Sequence, residues 1–424
     1  MRPLTWRLLL FGAVIVYAIK ATGQDLSSLL PPGVPGFNTS IGAQKNPDPA
    51  YHRLGIPGGT FTLFPEVAAS TGYDSNILAA SPAAGSALIG THAELLAKSN
   101  WQTDQLGAFA SIDNLLTPNE PNQGRTDWTA SIGGVKQFQD DALTLGFAHF
   151  STHEDRTALD ALPSDAPIPY SVENFRASYA LPLGPLTLTP SLDAMLFRFG
   201  QASILGVPTS QAYRNRNVVR LGITADFRTA PGRDLIAVAG GLVSEYTAPQ
   251  PGTPTRNSTG WEILGGIDQT FDGVWRIRLL GGWQERLFSS PAYRDHGAPV
   301  AEGDVIWSPT KLIDITATLS RTIEDAAQEG TAAYVATGLR LAAGYQWRRD
   351  VWLNAWAGLD RAAYVGSNDK QTAASLGAAA TWWLNRRINL NLSETVSELR
   401  GHAPPPSSGS YTRSVSLLTL GFGL

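Results

Sequence analysis

Apolar and polar residues alternate with a period of two along most of the chain after about residue 60. In the final segment Leu418, Leu420 and Phe422 fall on one face, and Thr419 and Gly421 fall on the other. Successive side chains of a β-strand point to opposite faces, whereas the period of a helix would mix the two sets. The pattern therefore predicts an all-β protein with many strands.

The connections between the predicted strands alternate between short turns and long loops. Leu183-Gly184-Pro185, Asp272-Gly273 and Ser308-Pro309-Thr310 are three of the predicted short turns. The loops are rich in Pro, Gly, Asn and Ser and span residues 117–125, 153–168, 200–211, 247–257, 289–299, 324–332 and 400–410. This alternation is typical of a barrel with tight periplasmic turns and long external loops. We predict a transmembrane up-and-down antiparallel β-barrel over residues 59–424, with about 18 strands and 16 as the next number.

A soluble β-sandwich would show the same alternation, so the ends of the predicted strands matter. The last segment carries no charged residue after Arg413 and contains Phe422, as the final strands of outer-membrane barrels do, although it ends in Leu424 and not in an aromatic residue. Aromatic residues near the short turns would form a periplasmic girdle. They are Trp101, Phe138, Phe271, Trp275, Trp307, Trp347, Trp382 and Trp383. We therefore favour the membrane barrel.

Residues 1–23 have the pattern of a secretory signal peptide. Arg2 and Arg7 precede or flank an apolar run, Leu8–Ile19, and small residues precede Gln24. The run is too short for a membrane-spanning helix. We expect the chain to be exported through this cleaved signal and to be integral to the bacterial outer membrane. Residues 24–58 are rich in Pro and Gly, which predicts a periplasmic leader or a segment lying in the lumen.

The composition excludes several classes of protein. The 424 residues include no cysteine, so disulfide scaffolds, thiolate zinc sites, iron–sulfur clusters and a lipid anchor on an N-terminal cysteine are ruled out. A formal net charge of -4 gives no electrostatic basis for binding nucleic acid. We predict no cofactor and no nucleic-acid partner.

Enzyme signals are weak, and we predict that the protein is not an enzyme. No Walker, GxSxG or HExxH motif occurs. His149 and His153 lie four apart on a predicted strand, about 13 Å, which is too far to share a metal ion. His149 and Ser151 would share a face near the external rim and, with Asn174 to orient the histidine, resemble the arrangement in outer-membrane phospholipase A. A lipase or esterase therefore stays open as an alternative.

A barrel of 16 to 18 strands encloses an aqueous channel, so the side chains predicted to face inward are the candidate functional residues. The candidates are Arg176, Arg214, Arg216, Arg220, Arg276, Arg278, Arg286, Arg340, Asp226, Glu262, Asp268, Asp314, Asp360, Trp352 and Trp356. The charged residues are either a mutually paired lining or a ladder for an anionic solute. Trp352, Trp356 and Trp383, if they face the lumen, either stack on sugar rings or fill space beside Gly358 and Gly377.

Two motifs resemble a known family. The residues Gly72-Tyr73-Asp74-Ser75-Asn76-Ile77 are similar to the "Tyr-Asp-x-Asn" opening of the family named "putative beta-barrel porin type 2", and His153-Glu154-Asp155-Arg156 is similar to its "His-Glu-Asp-Arg" segment. The layout of residues 50–424 follows the same family. The resemblance implies an integral outer-membrane barrel and, because several members are encoded with exopolysaccharide export systems, a role in passing a polysaccharide. It supplies no catalytic residues.

These observations predict a porin-like channel that passes or exports polysaccharide or oligosaccharide. The expected partners are outer-membrane lipid, a carbohydrate solute or polymer, and periplasmic export machinery. A general or nutrient-specific diffusion porin is the alternative, because the sequence does not separate the direction of flow.

Overall fold

The computed structural model describes residues 30–37, 48–404 and 409–424. The predicted signal peptide, residues 1–23, and parts of the predicted leader lie outside the described residues. The strands are β1 (Ile56–Gly58), β2 (Phe61–Asp74), β3 (Ser86–Ser99), β4 (Gln105–Leu116), β5 (Arg125–Phe138), β6 (Asp141–Glu154), β7 (Ile168–Leu183), β8 (Leu186–Phe199), β9 (Gln201–Ile204), β10 (Val207–Ser210), β11 (Arg216–Ala230), β12 (Arg233–Tyr246), β13 (Ser258–Phe271), β14 (Trp275–Phe288), β15 (His296–Thr310), β16 (Ile313–Asp325), β17 (Ala333–Arg348), β18 (Val351–Tyr364), β19 (Lys370–Trp383), β20 (Ile388–His402) and β21 (Tyr411–Gly423).

The main sheet is a closed antiparallel barrel. It comprises 19 strands, of which β1 is a short addition to β2 and the other 18 form the wall. Each wall strand pairs with the next in the chain, β8 pairs with β11, and β21 closes the ring on β2. The hairpin β9–β10 stands apart from the wall, inside the long connection between β8 and β11. The predicted fold class and the larger strand number are confirmed.

The outer surface of the wall is apolar because one parity of each strand carries large hydrophobic side chains. Leu376, Leu392 and Ile263 are 64%, 58% and 59% exposed on this face. In water such a surface would be unfavourable, but it matches the lipid-facing band of an outer-membrane barrel. Within the described residues, no helix is both long and apolar enough to cross a membrane.

Aromatic residues cluster on the outer face near the short turns. Trp347, Trp382 and Trp101 are 60%, 47% and 43% exposed, as expected of a periplasmic girdle. Trp383 does not belong to this girdle, because it is only 3% exposed and the Arg53 guanidinium lies 5.9 Å from the centre of its ring. Trp383 follows Trp382 on β19, so alternation turns its side chain to the inner face.

Two connections differ from the predicted layout. Ser308 and Pro309 were expected to form a turn, but β15 continues to Thr310 through a register irregularity after Trp307, and the chain reverses at residues 311–312. Proline lacks a backbone N–H, which suits such an irregularity in a strand. The predicted loop 289–299 is shorter than expected because β15 begins at His296.

Candidate functional site

The inner face of the wall carries alternating charges between neighbouring strands. Arg176 of β7 pairs in register with Asp193 of β8, which in turn pairs with Arg220 of β11. The Nε atom of Arg176 lies 3.6 Å from an Asp193 carboxylate oxygen. The opposite parity of β11 holds exposed Val219 and Leu221, which identifies the charged side as the lumen.

The loop of residues 155–167 folds into the external end of the barrel. Leu159, Asp160 and Leu162 in this loop are 2% exposed or less. The backbone N–H of Asp160 donates to Gln371 Oε1 of β19 at 2.9 Å, and Tyr411 of β21 donates from its hydroxyl to the Thr157 carbonyl at 2.7 Å. The loop leaves the wall between β6 and β7, so these bonds fix it across the lumen.

A second loop, residues 326–332, meets the first one inside the mouth. The Ala327 N–H donates to Asp160 Oδ2 at 2.5 Å. Arg256 donates from Nη1 to the Ala326 carbonyl at 2.8 Å and to the Gln328 carbonyl at 3.3 Å. The two loops are therefore joined to each other and to the wall. We call these two loops, with Glu154, Arg214, Arg216, Arg256, Arg286 and Asp325, the mouth cluster.

Buried ion pairs hold the mouth cluster together. Arg214 binds both carboxylate oxygens of Glu154, at 2.6 and 2.9 Å, and the two side chains are 1% and 2% exposed. Asp325 accepts from Arg216 Nε at 2.9 Å and also from Arg286 Nη2. Removing one partner of a buried pair leaves an uncompensated charge, which costs about 3–5 kcal/mol. These buried pairs thus hold the side chains of the mouth cluster in place at the external end of the lumen.

Aromatic rings lie against the same guanidinium groups. The Arg214 guanidinium carbon is 4.1 Å from the ring centre of Phe199, and that of Arg216 is 4.1 Å from the ring centre of Phe197. Both rings point into the lumen from the upper end of β8 and are 6% exposed or less. Cation–π contacts that exclude water strengthen the closed arrangement.

Two titratable groups of the mouth cluster, Asp160 and Arg214, have shifted pKa values. Burial raises the pKa of the Asp160 carboxyl to about 7, although the Ala327 N–H acts in the opposite direction. Burial alone would lower the pKa of the Arg214 guanidinium, but the charge of Glu154 and its hydrogen bonds outweigh burial and raise it. Arg214 therefore stays charged, whereas Asp160 gains or loses a proton near neutral pH.

Residues 30–37 also lie inside the barrel, against β4, β5 and β6. Val34 is fully buried and Phe37 is 2% exposed. A Cβ atom added to Gly133 would stand 2.0 Å from the Pro35 carbonyl oxygen, and one added to Gly146 would stand 2.7 Å from the Phe37 ring. These two glycines let the segment lie flat on the wall, where it occupies part of the lumen.

Nearer the short turns the inner wall is more exposed and its ion pairs are looser. Arg276 lies 3.1 Å from Asp268, and the arginine side chain is 46% exposed. Arg278 lies 3.7 Å from Glu302, whose side chain is 61% exposed. Arg340 is exposed. Ion pairs with one partner this exposed contribute about 0–1 kcal/mol to stability.

The two predicted lumenal tryptophans lie over glycines. A Cβ atom added to Gly377 would stand 2.3 Å from two ring atoms of Trp356, and one added to Gly344 would stand 2.8 Å from the Trp352 ring. Trp352 is 5% exposed and donates from Nε1 to Asn354 Oδ1 at 2.7 Å, whereas Trp356 is half-buried. Trp356 keeps part of its ring open to the lumen.

The structure distributes the remaining candidates along the wall. Asp226 and Glu262 are half-buried, while Asp314 and Asp360 are 7% and 6% exposed, and Asp314 accepts a hydrogen bond from the Ser308 hydroxyl. Arg214 lies in a single 3-10 turn, Ala212–Arg214, and not on the strand where the alternation placed it. Among the arginine candidates, those at the mouth are therefore buried and those nearer the short turns are more exposed.

Sequence reasoning missed the partners of the mouth arginines. Asp160, Arg256 and Asp325 fall in or beside predicted loops, where periodicity gives no information about burial. Glu154 carried a signal, because it belongs to the His-Glu-Asp-Arg motif.

The His-Glu-Asp-Arg motif anchors the start of the inward loop. His153 Nδ1 lies 2.8 Å from Asp127 Oδ1, and Arg125 donates to Asp155 Oδ2 at 2.9 Å. Glu154 between them points inward to Arg214. The motif thus fastens both sides of the strand end, which fixes the direction in which the loop leaves the wall.

The Tyr-Asp-x-Asn motif joins the first and last wall strands. Asp74 is fully buried, accepts from the Asn76 N–H at 2.9 Å and accepts from Arg413 Nε at 2.9 Å. Asn76 Nδ2 donates to the Thr412 carbonyl at 3.0 Å. Arg413 and Thr412 belong to β21, so the motif closes the seam of the barrel.

The histidine and serine considered for an esterase face outward. His149 Nδ1 lies 2.6 Å from Glu173 Oε1, and the His149 ring stacks on Trp128 at 4.5 Å. Asn174 faces the lumen and donates to Asp193 Oδ1 at 2.6 Å, so the expectation that it orients His149 is wrong. No hydrogen bond in the described part of the chain connects Ser151 to His149, so the pair is not assembled as a nucleophile and base.

A closed barrel of 18 strands, with an apolar outer face and a charged inner face, is the architecture of an outer-membrane channel. Residues 48–420 match the family model described as "Putative beta-barrel porin 2", and the chain belongs to that family. It is accordingly a porin-like protein integral to the outer membrane.

The chain is also similar to several solved structures at low sequence identity. OccAB3 from Acinetobacter baumannii is 9% identical, with a TM-score of 0.47 over 86% of this chain and 99% of that one. The protein opdK from Pseudomonas aeruginosa is 12% identical, with a TM-score of 0.44 over 85% and 98%. The FrpB iron transporter from Neisseria meningitidis is 11% identical, with a TM-score of 0.45 over 81% of this chain and 64% of that one. No curated protein sequence matches this chain significantly.

Proposed function

We propose that the barrel passes carbohydrate polymers or oligosaccharides outward across the outer membrane. The observation that carries this proposal is the position of Trp356, whose indole ring lies over Gly377 on the inner wall and stays partly open to the lumen. The C–H faces of a sugar ring pack on an aromatic face of this kind. A glycine beneath the ring holds it against the wall without filling the channel.

Polar groups around Trp356 suit the hydroxyl and acidic groups of a carbohydrate. Arg340 of β17 pairs in register with Gly358, which lies between Trp356 and Asp360 on β18. Asn354 lies on the same face of β18, two residues before Trp356. An arginine, an amide and a carboxylate beside an aromatic platform supply both donors and acceptors.

The contrast between the two ends of the lumen supports outward passage. The wall near the short turns is exposed, with Arg276 at 46% and Glu302 at 61%, whereas Arg214 at the mouth is 1% exposed. A solute therefore meets the open part of the wall from the periplasmic side first. The mouth cluster is the last barrier before the exterior.

Sugar-dependent block of ion current tests the carbohydrate assignment. We expect neutral and acidic oligosaccharides to block current through the purified protein in planar bilayers, both in the native protein and in Asp325→Asn, where the mouth is weakened. Trp356→Ala should raise the concentration for half-maximal block at least tenfold. Trp382→Ala is the matched control, because Trp382 faces lipid on the adjacent strand. Equal block of the native protein and Trp356→Ala would contradict the proposal.

The direction of transport is tested in cells. Removal of the protein from a strain that secretes a polysaccharide should trap the polymer in the periplasm, and the native gene should restore secretion. Normal secretion in the deletion strain, with slower growth on a small nutrient, would instead favour uptake.

One observation favours a nutrient-specific diffusion porin as a second candidate. The loop of residues 155–167 crosses the lumen and narrows it, as a selective filter for small solutes would require. Such a porin would admit monosaccharides into liposomes at a steady rate without opening of the mouth cluster. Liposome swelling by native protein, unchanged in Asp325→Asn, would support this second function.

A further inference from the structure

Three arginines form a straight row on the outer face of five adjacent strands. Arg321 of β16 pairs in register with Thr337, which pairs with Arg361 of β18. Arg361 pairs with Thr372, which pairs with Arg400 of β20. We call these five residues the arginine row. Since neighbouring strands are about 4.8 Å apart, successive arginines stand about 10 Å apart.

The arginine row faces lipid and not the lumen. Directly below it, on the same parity, Leu319, Leu339 and Leu359 are paired in register across β16, β17 and β18. These leucines are 38%, 41% and 49% exposed. A cationic row thus lies immediately above an apolar row on one continuous surface.

The height of the arginine row matches the outer border of the membrane. Thr337 precedes the girdle residue Trp347 by ten positions along β17, or about 33 Å of strand. With the usual strand tilt this is about 25 Å along the barrel axis, the height of the apolar band of such barrels. The row lies toward the long loops, so it stands where the headgroups of the outer leaflet lie.

The guanidinium groups of the row keep donors available. Arg321 is held by hydrogen bonds to Thr337 Oγ1 at 2.7 Å and to the Pro299 carbonyl at 2.9 Å. Arg361 is exposed and has no hydrogen bond or ion pair within the described ranges. Arg400 is 75% exposed and pairs with Glu398 at 2.6 Å. The row therefore carries three positive charges and one adjacent negative charge.

The outer face at β6 and β7 shows that such a row is not a general feature of this barrel. There the Glu173 carboxylate lies 2.6 Å from His149 Nδ1. Arg198 of β8 donates to the carbonyls of Phe197 and Arg216 and to Asn217 Oδ1. Its donors are used within the protein, whereas those of Arg361 are not.

We propose that the arginine row binds the phosphate groups of an anionic lipid of the outer leaflet, whose acyl chains lie on the leucines below. Guanidinium groups bind phosphate through paired N–H donors, and arginines about 10 Å apart on flexible stems can converge on one phosphate or bind two. The threonines between them add hydroxyl donors. Such a lipid matches this surface because its phosphates would lie at the height of the arginines and its acyl chains at the height of the leucines.

The test measures lipid binding to the full-length protein in detergent by native mass spectrometry. The probes are bisphosphorylated lipid A, its dephosphorylated form and inorganic phosphate. Arg361→Gln/Arg400→Gln removes two charges of the row. Arg348→Gln/Arg349→Gln is the matched control, because it removes two exposed arginines at the periplasmic end of β17. Heat-dependent gel migration checks that each variant is folded.

We expect the native protein and the control to bind phosphorylated lipid A equally, and Arg361→Gln/Arg400→Gln to bind it at least tenfold more weakly. Dephosphorylated lipid A should bind the native protein as weakly as it binds the row variant. Equal binding of phosphorylated lipid A to both double variants would overturn the proposal, as would equal binding of the two lipid forms to the native protein. Full competition by inorganic phosphate at the lipid concentration would identify a simple anion site and also overturn it.

Discussion

The inner wall carries arginines at two heights, and their environments are opposite. At the mouth, Arg214, Arg216 and Arg286 are 4% exposed or less and share buried carboxylates. Below them, Arg276 and Arg278 are 46% and 26% exposed and have solvated partners. Arginines that line the same lumen therefore lie in two different environments. The inward loops bury the upper arginines, whereas the lower ones keep contact with solvent.

The largest expected effect comes from Asp325→Asn, which removes a charge from the buried ion pairs of the mouth cluster. Asp325 is the carboxylate shared by Arg216 and Arg286, and its loss from the buried cluster costs the closed mouth about 3–5 kcal/mol. The fraction of time that the channel is open in planar bilayers should rise by a factor of ten or more. Asp268→Asn removes the half-buried partner of the exposed Arg276 and serves as the control, with current close to native. Unchanged current in Asp325→Asn would show that the cluster does not close the pore.

A smaller effect on channel opening is expected from a change of pH, because pH alters the protonation of Asp160. Burial in the closed mouth raises the pKa of Asp160 to about 7, and exposure on opening should return it toward its ordinary value of about 4. Between pH 4 and pH 7 Asp160 binds a proton in the closed state but not in the open state, so acid favours the closed state. This stabilisation of the closed state is lost as the pH rises through 7. Glu154, Arg214 and Tyr364 are the charged or titratable groups that influence this pKa.

Open probability should therefore increase several-fold from pH 5.5 to pH 8. Asp160→Asn, which cannot ionise, should flatten this dependence without changing the conductance of the open channel. A native channel whose opening does not vary over this range, or an Asp160→Asn channel with the native pH profile, would remove Asp160 from the mechanism.

The wall could be predicted from the sequence because alternation acts locally. Leu339 and Arg340 are adjacent, and their parity alone assigns one to lipid and the other to the lumen. The same rule predicts the girdle residues. The prediction was wrong only at Trp383, because Trp382 and Trp383 are adjacent and only one of two adjacent side chains can face lipid. The number of about 18 strands followed because short turns and long loops alternate along the chain.

The mouth cluster could not be predicted in the same way. Asp160 and Asp325 are joined to partners more than 100 positions away in the chain, through loops whose polar composition resembles that of solvated connections. Parity places Arg216 and Arg220 alike on the inner face, but only the fold of the loops makes the first buried and leaves the second partly exposed. Depth along the lumen depends on these tertiary contacts.

The lower arginines should control ion selectivity and not opening. Replacing Arg220, Arg276 and Arg278 by Ser removes three positive charges from the wall and should shift the reversal potential toward cation preference by a few-fold change in permeability ratio. Opening frequency should stay native, because none of the three belongs to the mouth cluster. Arg349→Ser is the control, because Arg349 lies in the short turn after β17 and its side chain is 87% exposed. A native reversal potential in the triple variant would leave the charges as a structural lining only.

The smallest effect should come from residues 30–37, the segment on the inner wall between the mouth arginines and the lower arginines. In Gly133→Ala the new Cβ would stand 2.0 Å from the Pro35 carbonyl oxygen, so residues 30–37 must leave this part of the wall. We expect the conductance of the open channel to rise by less than twofold, because the segment fills only one side of the lumen. Gly281→Ala, whose Cβ meets no atom within 4 Å, should conduct as the native protein does. Equal conductance in both variants would mean that the segment does not narrow the ion path.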